Sequence, residues 1–257
     1  MMNLLPLPAF ADNYIWMLHD GQQAVVVDPG DAAPVASALD ALGLQLAAIL
    51  VTHHHADHVG GVDALRSRLA GSVYGPAHEK IPMPFVPLED GDQVSVLDLD
   101  FEVIDVPGHT AGHIAYMQRN EPTAPILFCG DTLFSAGCGR LFEGTPAQMV
   151  HSLARLNALP GDARVCCTHE YTLSNLRFAA AVEPANGAIA DHTQACQRER
   201  AAGRPTLPST LARERQINPF LRCAEPAVVA SARAQGARSD DGVDVFTALR
   251  EWKNHYR

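Results

Sequence analysis

Four histidines and an aspartate crowd into six consecutive positions, His53-His54-His55-Ala56-Asp57-His58. Neutral imidazole nitrogen and carboxylate oxygen are the donors that hold zinc, iron or manganese. In an extended segment His53 and His55 point to the same side. Asp57 and His58 follow as the chain turns towards a helix and can point elsewhere, so one short segment can supply two ligands to each of two neighbouring metal ions. His54 faces away from its neighbours and reads as a supporting or solvated side chain. Three further residues repeat one design, a metal-capable side chain just past an apolar run: His109 in Val106-Pro107-Gly108-His109, Asp131 in Phe128-Cys129-Gly130-Asp131, and His169 in Cys167-Thr168-His169. A solvated polar loop, or a lone structural histidine, is the plainer reading of each alone. Their repetition at run ends, where a sheet presents functional side chains, favours ligands.

The elements that must position these residues can be read from apolar periodicity. Ala24–Asp28 and Leu46–Val51 read as buried strands, the first ended by the turn signal Pro29-Gly30. Strands are also expected over 94–96, 101–106, 114–118, 126–129 and 165–167. Helical spacing covers Ala32–Leu42, closed by Gly43, and Val62–Leu69, closed by Gly71; another helix starts at Pro146. After Tyr171 strand signals stop. Helices are expected over 173–182, 188–202, 227–235 and 243–254. The expected organisation is an α/β domain over 1–173 and a smaller all-helical domain over 174–257.

The 257-residue chain is 47% hydrophobic, 19% charged and carries a net charge of −10, which argues against a general nucleic-acid binder. The charge is uneven. Residues 1–170 hold 7 Lys/Arg against 20 Asp/Glu, and residues 171–257 hold 12 against 9. An acidic first part suits cations; a basic last part suits an anionic small molecule. No apolar run reaches the roughly 20 residues of a membrane-spanning helix, and the first ten residues carry no basic stretch of a secretory signal. Six cysteines without a CxxC pair suggest free thiols in a reducing compartment, expected to be the cytoplasm.

The series His53-x-His55-x-Asp57-His58, His109, Asp131, His169 resembles the dinuclear metal signature of the metallo-β-lactamase superfamily, over roughly residues 1–170. The resemblance implies a four-layer αββα sandwich. The second part resembles the helical domain of the glyoxalase II family, hydroxyacylglutathione hydrolases. It does so through Glu183-Pro184-x-Asn186, Arg200-x-x-Gly203-x-Pro205-Thr206, Asn218-Pro219-Phe220-Leu221-Arg222 and the terminal Arg250-x-x-Lys253. Asp12-Asn13-Tyr14 and Cys138-Gly139-Arg140 are similar too.

Carried over position by position, this resemblance implies that His53, His55 and His109 hold one metal. Asp57, His58 and His169 would hold a second, and Asp131 would bridge them and hold a bridging hydroxide, the nucleophile. Two divalent ions are implied, zinc foremost, with iron or manganese also admitted. Arg140, Phe142, Tyr171, Arg250 and Lys253 would bind glutathione. The activity implied is hydrolysis of S-D-lactoylglutathione to glutathione and D-lactate, the second step of methylglyoxal detoxification, by a cytoplasmic monomer that meets neither nucleic acid nor membrane. Other members have Lys in place of Arg140 and Tyr in place of Phe142, so a hydroxyl is missing here. Asp28 could accept a hydrogen bond from a ligand histidine or simply form the turn before Pro29. Two other readings are a single-iron glutathione persulfide dioxygenase of the same fold and a metal-binding protein without activity.

Overall fold

Valine-rich and mixed apolar runs build a first, six-stranded sheet: β1 (Asn3–Ala9), β2 (Asn13–His19), β3 (Gln23–Val27), β4 (Gln45–Leu50), β5 (Leu69–Pro76) and β6 (Val86–Leu88), in that spatial order. This computed structural model describes residues 2–119 and 124–256. β1, β2 and β3 pair antiparallel; β3 to β6 pair parallel. Parallel strands are covered on both faces, which is why β3 is an unbroken apolar run. Val26 and Ala24 face helix α1 (Ala32–Leu42) through a core containing Val35 and Leu39. Asp31 caps the start of α1 by accepting from Ala33 N–H at 2.9 Å, and Gly43 ends it in the left-handed conformation.

A second sheet contains β7 (Gln93–Val96), β8 (Leu99–Asp105), β9 (Ile114–Gln118) and β10 (Ile126–Gly130), paired antiparallel in sequence order. Its contacts with the first sheet include Tyr116, whose hydroxyl donates to Val51 O at 2.9 Å, and Ile114, whose N–H donates to Thr52 O at 3.0 Å. The two sheets form one compact unit comprising Met1–Asp105, Ala111–Gly130 and Cys166–His169. The prolines of β1, Pro6 and Pro8, sit on an edge strand, where a missing N–H is tolerated. The helix expected over 62–69 stops at Leu65, and β5 starts at Leu69. Arg66 bonds to Asp63 and to the carbonyls of Pro82 and Pro84, drawing the chain out of the helix.

A second unit comprises Val106–Thr110, Asp131–Val165 and Glu170–Arg257. It holds the short hairpin β11 (Leu133–Phe134) and β12 (Gly137–Cys138). It also holds α4 (Pro146–Asn157), α5 (Thr172–Val182), α6 (Gly187–Ala201), α7 (Leu211–Ile217), α8 (Pro226–Ala234) and α9 (Gly242–His255). The first unit also holds two short helices after β4, α2 (Ala56–Val59) and α3 (Val62–Leu65). Strand Arg164–Cys167 begins in the second unit, where it pairs with Ser209–Thr210, and ends in the first. Thr145 and Gln148 form a reciprocal cap on α4, and Asn186, Thr210 and Asp241 cap α6, α7 and α9. Phe178 stacks on Phe220 and meets the edges of Trp252 and Tyr256. All six cysteines are free thiols, and among the described residues no helix is long and apolar enough to cross a membrane.

The turn after β3 lies against the histidine-rich segment with no room for side chains. A Cβ on Gly30 would fall 1.9 Å from Asp57 O, one on Gly60 2.7 Å from Gly30 O, and one on Gly61 2.6 Å from Pro29 O. Gly30→Ala must therefore displace the backbone that carries Asp57. Overpacking of about 1–3 kcal/mol predicts a melting temperature lower by roughly 2–12 °C, measured by thermal unfolding of the metal-free protein; an unchanged melt would contradict this packing.

Candidate metal centre and cavity

Within the first unit, Val51 and Thr52 leave β4 and lead into His53, His54 and His55, after which Ala56–Val59 forms one helical turn. Buried Asp28, at φ +54, anchors this exit: its carboxylate accepts from Thr52 N–H at 2.7 Å and Thr52 Oγ1 at 2.8 Å. The same carboxylate lies 3.1 Å from His58 Nδ1, which turns His58 Nε2 towards Asp57. His53 Nε2 is 3.0 Å from His55 Nδ1, so these two side chains converge as the alternation predicts. His54 points the other way, its Nδ1 2.8 Å from Glu79.

His169 reaches the same region because residues 167–169 are fastened to β2. Trp16 Nε1 donates to Cys167 O at 2.9 Å and Tyr14 N–H donates to Thr168 O at 2.6 Å. Asp57 Oδ2 lies 3.6 Å from His58 Nε2 and 3.5 Å from His169 Nε2. One ligand atom from each of the three residues lies within 4.8 Å of the others. Ligands about 2.0–2.2 Å from a tetrahedral ion stand about 3.3–3.6 Å apart. The donor types and spacing fit a divalent cation.

Three supporting residues were given no role at the site by the sequence reading. His169 Nδ1 is 2.8 Å from Asp12 Oδ1, and Asn13 Nδ2 donates to Asp57 Oδ2 at 3.0 Å. Fully buried His113 stacks on His53, ring centroids 4.6 Å apart. His113 precedes its strand instead of following one, so the pattern of strand-end residues did not include it. Asp12 and Asn13 belong to the Asp12-Asn13-Tyr14 segment that resembles the family, but nothing local pairs them with their partners, which are more than 40 residues away.

The second unit positions His109 and Asp131. His109 Nδ1 is 2.8 Å from Arg140 O, and His109 Nε2 is 3.5 Å from Asp131 Oδ2. Phe142 N–H donates to His109 O and Gly144 N–H to Gly108 O, both at 3.1 Å, lacing 108–109 to 142–144. Gly139 permits this: a Cβ there would lie 1.9 Å from Asp131 O. A cavity of about 490 Å³ opens beside these two residues, and Arg140, Phe142, Tyr171, Arg250 and Lys253 all line it. Phe142 is 64% exposed, its ring centroid 5.2 Å from that of His109 in a T-shaped contact.

The two α9 cations differ. Arg250 is buried, donates from Nη1 to Cys138 O at 2.9 Å, and lies over the Phe220 ring. Lys253 Nζ donates to Ser174 O at 3.2 Å and lies over the Phe178 ring. Burial, with the charges of Arg250, Arg177 and Arg140, pushes the Lys253 ammonium down to about 8. Burial raises the Cys138 thiol in spite of Arg250, so it is no thiolate nucleophile.

The contact of Asp12 with His169 has a measurable consequence. Carboxylates that orient metal-ligating histidines typically contribute 10–100-fold in metal affinity. Asp12→Ala should lower affinity for a divalent ion by roughly tenfold or more in chelator competition, while stability of the metal-free protein changes by no more than about 0.5 kcal/mol. Undiminished affinity would remove Asp12 from the centre.

Comparison with known proteins agrees with both parts of the chain. Residues 10–169 match the family model of the metallo-beta-lactamase superfamily, and residues 170–256 match that of the hydroxyacylglutathione hydrolase C-terminus. A hydroxyacylglutathione hydrolase of Albidiferax ferrireducens is 59% identical over 99% of this chain and 100% of its own length. One from Cupriavidus taiwanensis is 55% identical over the whole of both. Among solved structures, ETHE1 from Myxococcus xanthus superposes with a TM-score of 0.64 at 28% identity, over 86% of this chain and 84% of its own. TTHA1623 in a di-iron-bound form superposes with a TM-score of 0.60 at 28% identity, over 84% and 100%. The αββα sandwich with a helical C-terminal region, expected from the ligand series, is the fold of this chain. With both models matched in tandem and relatives more than half identical along their full length, the chain belongs to the hydroxyacylglutathione hydrolase family of the metallo-β-lactamase superfamily.

Proposed function

We infer that this enzyme hydrolyses 2-hydroxyacylglutathione thioesters, S-D-lactoylglutathione foremost, to glutathione and the hydroxy acid. What carries the reading is one cavity in the second unit, where His109 and Asp131 share a lining with Arg140, Arg250 and Lys253. Metal-capable groups and cations for an anionic tripeptide thus meet in one space. Residues 1–173 serve as the metal domain and 174–257 as the helical substrate-binding domain. His53, His55 and His109 would hold one divalent ion, Asp57, His58 and His169 would hold a second, and Asp131 would be the ligand shared by both. Zinc is the first choice for this donor set; the di-iron-bound form of TTHA1623 supports two ions in this fold and admits iron. The protein works as a cytoplasmic monomer. Membership in the hydrolase family, through the C-terminal model above all, favours hydrolysis over persulfide oxidation or an inactive binding role.

Bound divalent ions supply Lewis-acid polarisation of the thioester carbonyl and water acidified to neutral pH. The chain's own residues do the rest. Asp28 and Asp12 fix the rings of His58 and His169, so the ligand atoms need not reorganise on binding. Arg140, Arg250 and Lys253 face the two glutathione carboxylates and place the thioester. A thiol of pKa about 8.5 leaves as thiolate, so no acidic side chain is required beside the sulfur. Phe142 presents an apolar edge near His109 where other members carry a tyrosine.

Removal of Asp131 tests the shared ligand. Asp131→Ala should reduce the metal content from about two ions per chain and lower kcat by more than about 100-fold, read by elemental analysis and thioester hydrolysis. Full activity in that variant would refute the bridging role.

Lys253 gives a titratable test of substrate binding, because its ammonium loses its charge near pH 8. Lys253→Ala should raise KM about tenfold or more, a charged hydrogen bond contributing about 1.5–3 kcal/mol, with kcat little changed. The ammonium is charged below its pKa of about 8 and neutral above, so kcat/KM should fall as pH rises through that value. Lys253→Arg keeps its charge and should lose that inflection. A pH profile identical in wild type and Lys253→Arg would separate Lys253 from the substrate.

A further inference from the structure

The hairpin β11–β12 forms part of the cavity wall through Phe134 and Cys138. Each of its strands has two residues, paired Leu133 with Cys138 and Phe134 with Gly137. Such a hairpin has no stability of its own. Its tip, Ser135-Ala136, puts Ala136 at φ +54, a backbone conformation that residues with a Cβ adopt rarely. Something outside the hairpin must impose this shape.

The helical residues do so with side chains that are all buried. Asn218 Nδ2 donates to Phe134 O at 3.1 Å and to Gly137 O at 2.9 Å, clamping both strands from one amide. Asn175 Nδ2 donates to Ser135 O at 3.0 Å. The Glu214 carboxylate accepts from Ala136 N–H at 2.7 Å and Ser135 Oγ at 2.9 Å. Ser209 Oγ and Asn218 Nδ2 also donate to Glu214, so its four neighbours are all donors to a fully buried carboxylate. The Ala136 methyl is inserted among Leu176, Ala179, Ile189 and Ile217. Burying a carboxylate is unfavourable unless hydrogen bonds replace its hydration. Apolar residues could fill the same space; what they could not do is grip backbone groups along 134–137.

We propose that Glu214 and Asn218 are positioning residues for the substrate: they hold the hairpin so that Phe134, Cys138 and, through Cys138 O, the Arg250 guanidinium keep the cavity shaped for the glutathione tripeptide. The proposal rests on the glutathione reading above. Neither residue lines the cavity, and both act only through the hairpin. The motif Asn218-Pro219-Phe220-Leu221-Arg222 thereby acquires a task, because Asn218 both caps the following turn, accepting from Phe220 N–H at 3.1 Å, and clamps the hairpin.

Asn218→Asp is the informative variant. It retains the shape and the cap but turns an oxygen towards two carbonyls and a carboxylate. The measurement is the ratio of kcat/KM for the glutathione thioester to kcat/KM for a short N-acetylcysteamine thioester of the same acid, on metal-loaded enzyme, with metal content and melting temperature recorded alongside. The ratio should fall about tenfold, chiefly through KM of the glutathione substrate, with metal content unchanged, as expected when a site that uses charged hydrogen bonds loses its alignment. Ser135→Ala removes one donor to Glu214 and should lower the ratio by about twofold; it decides the matter if Asn218→Asp does not fold. A lowered melting temperature with an unchanged ratio would overturn the proposal and leave the network a support of stability alone. Wild-type enzyme that does not prefer the glutathione thioester would instead refute the glutathione reading itself.

Discussion

A single buried carboxylate, that of Asp28, ties together the pieces on which the metal-binding segment depends. Parallel pairing of β3 with β4 brings the ends of both strands side by side, Val27 opposite Leu50. Asp28 stands at the first end and takes both donors of Thr52 at the second, while its other contact fixes the ring of His58. A buried charge without partners would cost several kcal/mol, so the carboxylate holds the geometry only while all these groups are in place. The left-handed backbone at Asp28 is the local distortion that this arrangement requires. The direction in which the chain leaves β4, and so the placement of every histidine from 53 to 58, follows from that one side chain.

Close backbone approach is the second constraint. Gly30, Gly60 and Gly61 let one turn lie flat on another in the first unit, and Gly139 and Gly144 do the same around His109 and Asp131 in the second. In both units the side chains that could do chemistry are held by close backbone contacts beside them. Flexible loops could not hold imidazole and carboxylate atoms 3.5 Å apart at the precision a metal site needs.

Much of this was legible in the sequence because its signals are local. Apolar runs ending in His or Asp marked the strand ends, and helical periodicity located α5, α6, α8 and α9 to within a residue or two. What escaped depends on distant partners. β1 carries two prolines that argue against a strand until its place at a sheet edge is known. Arg66 ends a helix by bonding to carbonyls 16 and 18 residues away. His113 stacks on a histidine 60 positions earlier, and Asp12 meets His169 across 157 positions. Arg250 is expected from the resemblance to bind glutathione, whereas its hold on Cys138 O reaches strand β12, 112 residues earlier. Spacing along the chain reports nothing about such pairs.

The fastening of residues 167–169 to β2 also sets a clock. Every residue of β2 is buried in the finished fold, yet Trp16 and Tyr14 find their partners at Cys167 and Thr168. At about 5–20 residues per second, a ribosome needs about 8–30 s to make the intervening chain. For that interval β2, whose residues 14–18 are apolar, can pair with β1 and β3 but lacks the segment that meets Trp16 and Tyr14. His169, the last histidine of the candidate ligand series, arrives in the same stretch of chain. Emergence of residues 164–169 is therefore the step in synthesis that supplies the partners of Trp16 and Tyr14 and completes the set Asp57, His58 and His169.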